Sequence, residues 1–256
     1  MEIITDLTKL QVVAGPLEFI TDRGIEKEEG EKIIKKLKAF LNKNKNVVAI
    51  TAPQLGIDKR VFCMRFADTI KTFINPVITK KTKHVIRPET FASMPGQEIL
   101  ISRPEEVTVV YYTDEFKYEE NKLLGIAARV FDQSAQLLDG VTPDIMGVAT
   151  DVEQCGSLWD LSDEDMQILV TKYKEIVAAR ANSFKKDLIA KNPALEKQYN
   201  ELRFTEKVIN GEANIVGKGM SKRGQAVAAL SLKRNQQQID LANRANRVRF
   251  INRKGR

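Results

Sequence analysis

Apolar positions follow two alternating rhythms along the chain. In residues 26–42 (EKEEGEKIIKKLKAFLN), Ile33, Ile34, Leu37 and Leu41 fall on one face at helical spacing, with lysines and glutamates opposite. A helix that buries one stripe against a core needs that pattern. From Val47 the rhythm changes to short β-branched runs: VVAIT, KRVFCMRF, TFINPVIT, HVIRPE, QEILIS and EVTVVYYT, broken by Pro53, Pro76, Pro95 and Pro104. These predict strands of a mainly antiparallel α+β domain. Residues 122–138 return to helical spacing through Leu123, Ala127, Val130, Ser134 and Leu137, and Asp139-Gly140 supplies a stop. Ser162-Asp163-Glu164-Asp165 has the form of an acidic capping box ahead of Met166, Leu169, Tyr173 and Ile176, so a second long helix is expected there. Asn192-Pro193 restarts a further helix through Leu202, Gly211 to Gly219 reads as a loop, and residues 225–246 as a last helix.

Composition narrows the class. The 256 residues are 43% hydrophobic, enough for a sizeable core, and no run approaches the length needed to cross a bilayer. The N-terminal stretch MEIITDLTKL lacks a basic flank followed by an apolar segment, so neither secretion nor membrane insertion is expected. Cys63 and Cys155 stand far apart in no paired motif, which argues against a disulfide scaffold and a thiolate metal site. The net charge of +7 is unevenly spread: residues 1–150 balance, and the surplus lies in residues 151–256. From Lys218 onward Asp240 is the single acidic residue. The final segment gathers Arg244, Arg247, Arg249, Arg253, Lys254 and Arg256 around Phe250, a run suited to neutralising phosphates or docking on an acidic partner.

Three segments carry candidate chemistry. They are Val47-Val48-Ala49-Ile50-Thr51-Ala52-Pro53-Gln54-Leu55-Gly56, then Glu89-Thr90-Phe91-Ala92-Ser93-Met94-Pro95, then Ala128-Arg129-Val130-Phe131-Asp132-Gln133-Ser134-Ala135-Gln136-Leu137-Leu138-Asp139-Gly140. In order and spacing they resemble the three signatures of peptide deformylases: G-x-G-x-A-A-P-Q-x-G, E-G-C-L-S-x-P and A-R-x-x-Q-H-E-x-D-H-L-x-G. The resemblance implies an α+β, peptide-deformylase-like fold, with mainly antiparallel sheets around a central helix, over residues 1–150. A mainly helical extension (151–217) and a basic interaction segment (218–256) follow.

The same resemblance implies a divalent metal held by one cysteine and two histidines one helical turn apart, with a glutamate moving the proton. Here Phe91 takes the cysteine's position, Gln133 and Leu137 those of the histidines, and Ser134 that of the glutamate. Gln54, which in the family helps to polarise the reacting carbonyl, is retained. Alone it generates no nucleophile, and its expected role is to tie a loop to the neighbouring strand. His84, the only histidine, lies between Lys83 and Val85 and is expected at the surface. Phe91 and Leu137 are expected to fill the former pocket.

From this donor set the expectation is no cofactor, no metal and no enzymatic activity. The chain would be a structural subunit in a larger assembly, such as the neck, tail or baseplate of a phage virion, located in the virion or cytoplasm. Its partners would be other protein subunits, met through the basic tail. One alternative is a nucleic-acid- or ribosome-associated binding module using that tail; another is an atypical deformylase or other hydrolase.

Overall fold

The computed structural model describes residues 2–21, 24–67, 69–183 and 193–209. Strands β1 (Ile20–Thr21) and β2 (Gly24–Ile25) form a small ribbon ahead of helix α1 (Glu28–Lys43). Then come β3 (Ala49–Thr51), β4 (Val61–Phe66), β5 (Thr69–Thr90), β6 (Gln97–Tyr112) and β7 (Tyr118–Leu124). After helix α2 (Ile126–Leu138) follow α3 (Pro143–Met146), β8 (Val148–Asp151), α4 (Val152–Cys155), α5 (Asp163–Ser183) and α6 (Pro193–Ile209). The main sheet is antiparallel with order β3-β4-β5-β6-β7. β6 is long enough to share its second edge: Glu106–Tyr112 pair with β7 and Gln97–Leu100 with β8.

The α+β expectation holds, and several strand limits are corrected. TFINPVIT and HVIRPE belong to one strand, β5, and QEILIS and EVTVVYYT to one strand, β6. Pro76 does not break β5, because register shifts between Ile74 and Val77 and between Ile78 and Lys80 absorb it as bulges. Pro104 likewise sits within the ladder opposite His84. Lys122 to Leu124, read as helix, extend β7 instead, with Leu123 opposite Val107. Gly125 makes the switch: its φ of 58° and ψ of −130° turn the chain out of the strand, and its N–H donates to Glu105 O at 2.7 Å. α2 then runs to the expected stop, where Gly140 has φ 73°.

Three apolar clusters hold these layers together. One packs Ile33, Ile34, Leu37 and Leu41 of α1 on Ile50, Val61 and Tyr112. A second stacks Phe62 on Phe73, with centroids 4.7 Å apart, beneath Phe131 of α2. The third joins Phe91, Ile99, Ile101 and Leu137 to Tyr173 and Val177 of α5 and Leu202 of α6. Each fully buried side chain of this size contributes about 1.5–3 kcal/mol.

Residue 150, the expected domain boundary, lies inside β8, and α5 and α6 share the third cluster with the sheet. α5 begins as the capping box predicts, with Asp165 N donating to Ser162 Oγ at 3.2 Å. Tyr173 Oη accepts from Ser102 N at 3.0 Å, and Arg180 Nη1 donates to Asp144 O at 2.7 Å, pinning α5 to β6 and α3. Among the described residues no helix is long and apolar enough to cross a membrane.

Candidate active site

The three sequence segments converge. After β3, Pro53 opens a single 3-10 turn that carries Gln54 inward, where it is buried. Gln54 Oε1 accepts from Thr51 N at 3.0 Å, and Nε2 donates to Ser93 Oγ at 3.0 Å. Its amide therefore bridges the first segment to the second. On α2, Gln133 Nε2 donates to Glu89 Oε1 at 3.0 Å and to Thr90 O at 3.4 Å, joining the third segment to the second.

The other three substituted positions take no part in that bridge. Phe91 and Leu137 are 5% and 1% exposed and lie in the cluster completed by α5 and α6. Ser134 is buried, and its hydroxyl donates to Val130 O at 2.9 Å, back along its own helix. A phenyl ring and an isobutyl group have no lone pair for a metal, and a carboxamide is a poor donor for a borderline-soft cation. The residues present do not fit the thiolate-and-imidazole metal of the resemblance, and among the described residues no three His, Cys, Asp or Glu side chains gather to replace it.

Behind the site runs a buried ionic chain that the sequence reading did not find. Arg103 Nε donates to both oxygens of Glu89, at 2.7 and 2.8 Å, and its Nη1 reaches Asp132 Oδ2 at 3.0 Å and Gln136 Oε1 at 2.8 Å. Lys81 meets Asp132 at 2.9 Å and Glu201 of α6 at 3.2 Å. Burial opposes each of these charges, but the partners win. Asp132 and Glu201 hold the Lys81 ammonium above its usual value, Glu89 and Asp132 do the same for Arg103, and Lys81 and Arg103 hold Asp132 below the usual carboxylate range. Arg103 lies within the apolar run ILISRPEEV, where nothing marks it as a buried charge.

His84 is corrected from its expected surface position. It lies within β5, both ring nitrogens are buried without a hydrogen-bond partner, and Phe204 of α6 packs edge-on at 5.4 Å. Burial pushes the imidazole down to about 4. Cys63 is buried and Cys155 exposed. Arg244, Arg247, Arg249, Phe250, Arg253, Lys254 and Arg256 lie outside the described residues, as do the expected loop from Gly211 and the helix over 225–246. The readings as an assembly subunit or nucleic-acid module drew on that tail.

An open cleft of about 620 Å³ runs across the junction of the segments. Val48, Phe91, Ile126 and Trp159 give it apolar walls, and Glu89 and Gln133 add polar groups. Ile126 and Trp159 are among the most exposed large apolar side chains described, Trp159 at 61%. Sequence reasoning missed Trp159, since a lone aromatic after β8 has no distinguishing pattern.

An antiparallel sheet curled about α2, with three convergent segments lining a cleft, defines a deformylase-type fold. The chain belongs to the polypeptide deformylase family, whose model matches residues 8–145. A peptide deformylase of Dictyoglomus turgidum is 28% identical over 137 residues, 53% of this chain and 89% of that protein. The crystal structure of a peptide deformylase from Thermotoga maritima superposes with a TM-score of 0.50 at 26% identity, covering 57% of this chain and 95% of the other. A peptide deformylase from Acinetobacter baumannii, solved with Met-Ala-Ser bound, gives a TM-score of 0.50 at 21% identity over 56% and 95% of the two chains. The expectation of a protein without enzymatic activity is overturned by this membership. It rested on the donor set alone, whereas the relatives are deformylases by name.

Proposed function

We propose that the chain is an atypical hydrolase of the deformylase family that takes the N-terminal end of a peptide into the cleft between Val48, Phe91 and Trp159. The reading is carried by the Glu89 carboxylate on the cleft wall, held by Arg103 and hydrogen-bonded to Gln133. The apolar walls suit an apolar first side chain. The Acinetobacter protein's tripeptide, Met-Ala-Ser, has such a residue.

In this reading Glu89 takes a proton from a water whose oxygen bonds to the formyl carbon of a capped peptide end, then returns it to the peptide nitrogen as the C–N bond breaks, releasing formate and a free amine. A positioned carboxylate base contributes about 10²- to 10⁴-fold to such a step. Turnover is therefore slow and independent of a transition metal, because Phe91, Gln133 and Leu137 offer no donor set for one. The test is formate release from formyl-Met-Ala-Ser with and without a chelator. Slow, chelator-resistant release that Glu89→Gln abolishes supports the reading. Release that stops on chelation, or none above buffer, contradicts it.

A further inference from the structure

Gln133 offers a more specific conclusion, resting on the peptide-end reading. A carboxamide has one donating and one accepting end, and its neighbours decide which faces where. Glu89 Oε1 and Thr90 O can only accept, so both hydrogens of Gln133 Nε2 are committed to them, at 3.0 and 3.4 Å. The orientation of the amide is thereby fixed. Gln133 lines the cleft, and among the described residues no hydrogen bond is made to its Oε1, which is therefore the end of the amide left for a ligand.

We propose that Gln133 is a specificity-determining residue whose Oε1 accepts the N–H on the first nitrogen of the bound peptide. The ligands are then peptide ends whose first nitrogen carries a hydrogen, either a free amine or a secondary formamide. Ends with a tertiary first nitrogen, such as a formylated N-methyl residue or a formylated proline, are rejected. They bury the acceptor against a group that cannot donate, and a site built around one hydrogen bond discriminates strongly against the analogue that lacks it. The bonds to Glu89 and Thr90 O also hold the amide in place before the ligand arrives, so little side-chain entropy is lost on binding.

The chain carries one tryptophan, and it lines this cleft, so Trp159 fluorescence of the full-length protein reports occupancy. Titrate formyl-Met-Ala-Ser and its counterpart methylated on the methionine nitrogen into the wild-type protein and the near-isosteric Gln133→Met variant. The expected result is roughly 10- to 100-fold weaker binding of the methylated peptide to the wild type. In Gln133→Met that ratio falls to about one, because the unmethylated peptide loses its advantage. Equal binding of the two peptides by the wild type overturns the proposal and leaves the peptide-end reading standing. Discrimination that persists in Gln133→Met also overturns it, because steric exclusion of the methyl group then explains the difference. Failure of both peptides to bind the wild type removes the peptide-end reading and this inference together. The wild-type comparison does not depend on the variant folding.

Discussion

Arg103 and Asp132 meet at 3.0 Å with both side chains 1% exposed, so neither charge can turn to water if the other is removed. Breaking such a pair from one side costs about 3–5 kcal/mol, since the survivor stays buried and loses compensation. Asp132→Ala leaves Arg103 with Glu89 and Lys81 with Glu201, each one carboxylate short. Urea denaturation is expected to show a loss in that range. A change below about 1 kcal/mol would mean that water reaches the pair.

His84 gives the fold an acid limit of its own. Burial lowers the imidazole to about 4 in the folded chain, against 6.5 when unfolded; Asp132 pulls it up, while Lys81, Arg103 and Arg129 push it down. Between those values the unfolded chain binds the extra proton, so stability is fully present above about pH 6.5 and is lost as pH falls toward 4. A shift of this size corresponds to about 3 kcal/mol. Asp132, held below the usual carboxylate range, adds a further loss at lower pH. His84→Phe is expected to flatten the stability profile between pH 4 and 6.5. An unchanged slope would place the proton elsewhere.

Phe91 and Leu137 now belong to the core that α5 and α6 complete. Leu137→Ala is expected to cost about 2–5 kcal/mol and Phe91→Ala about 3–5 kcal/mol. Because no donor set depends on these residues, prolonged chelation is expected to leave the thermal midpoint of the wild-type chain unchanged. A drop of several degrees would reveal a stabilising ion.

Tyr173 tests whether α5 is integral to the domain. Its hydroxyl accepts from the backbone N–H of Ser102 and is buried with it. Tyr173→Phe leaves that N–H without its partner, with an expected cost of about 1–3 kcal/mol. A neutral substitution would mean that α5 is a loosely attached appendage.

Much of this architecture is legible in the sequence because local patterns and tertiary demands agree. The stripe of Ile33, Ile34, Leu37 and Leu41, the stop at Gly140 and the capping box at Ser162 each specify structure over a few residues. Strand limits were less legible, because Pro76 and Pro104 look like breaks until bulges and the facing ladder accommodate them. β8 was invisible for a related reason: Val148–Asp151 become a strand only because β6 leaves an edge open there. At the site, the three segments and their substituted positions could be read directly. The Arg103–Asp132–Lys81–Glu201 chain could not, because its members come from β5, β6, α2 and α6, and sequence spacing carries no trace of pairing across 120 positions.

The most direct measurement is a structure of the full chain bound to formyl-Met-Ala-Ser. The expected result is the peptide's first residue between Val48, Phe91 and Trp159, with its nitrogen within hydrogen-bond distance of Gln133 Oε1. A peptide seated elsewhere, or a transition ion coordinated at the Phe91, Gln133 and Leu137 positions, would contradict the reading of this cleft.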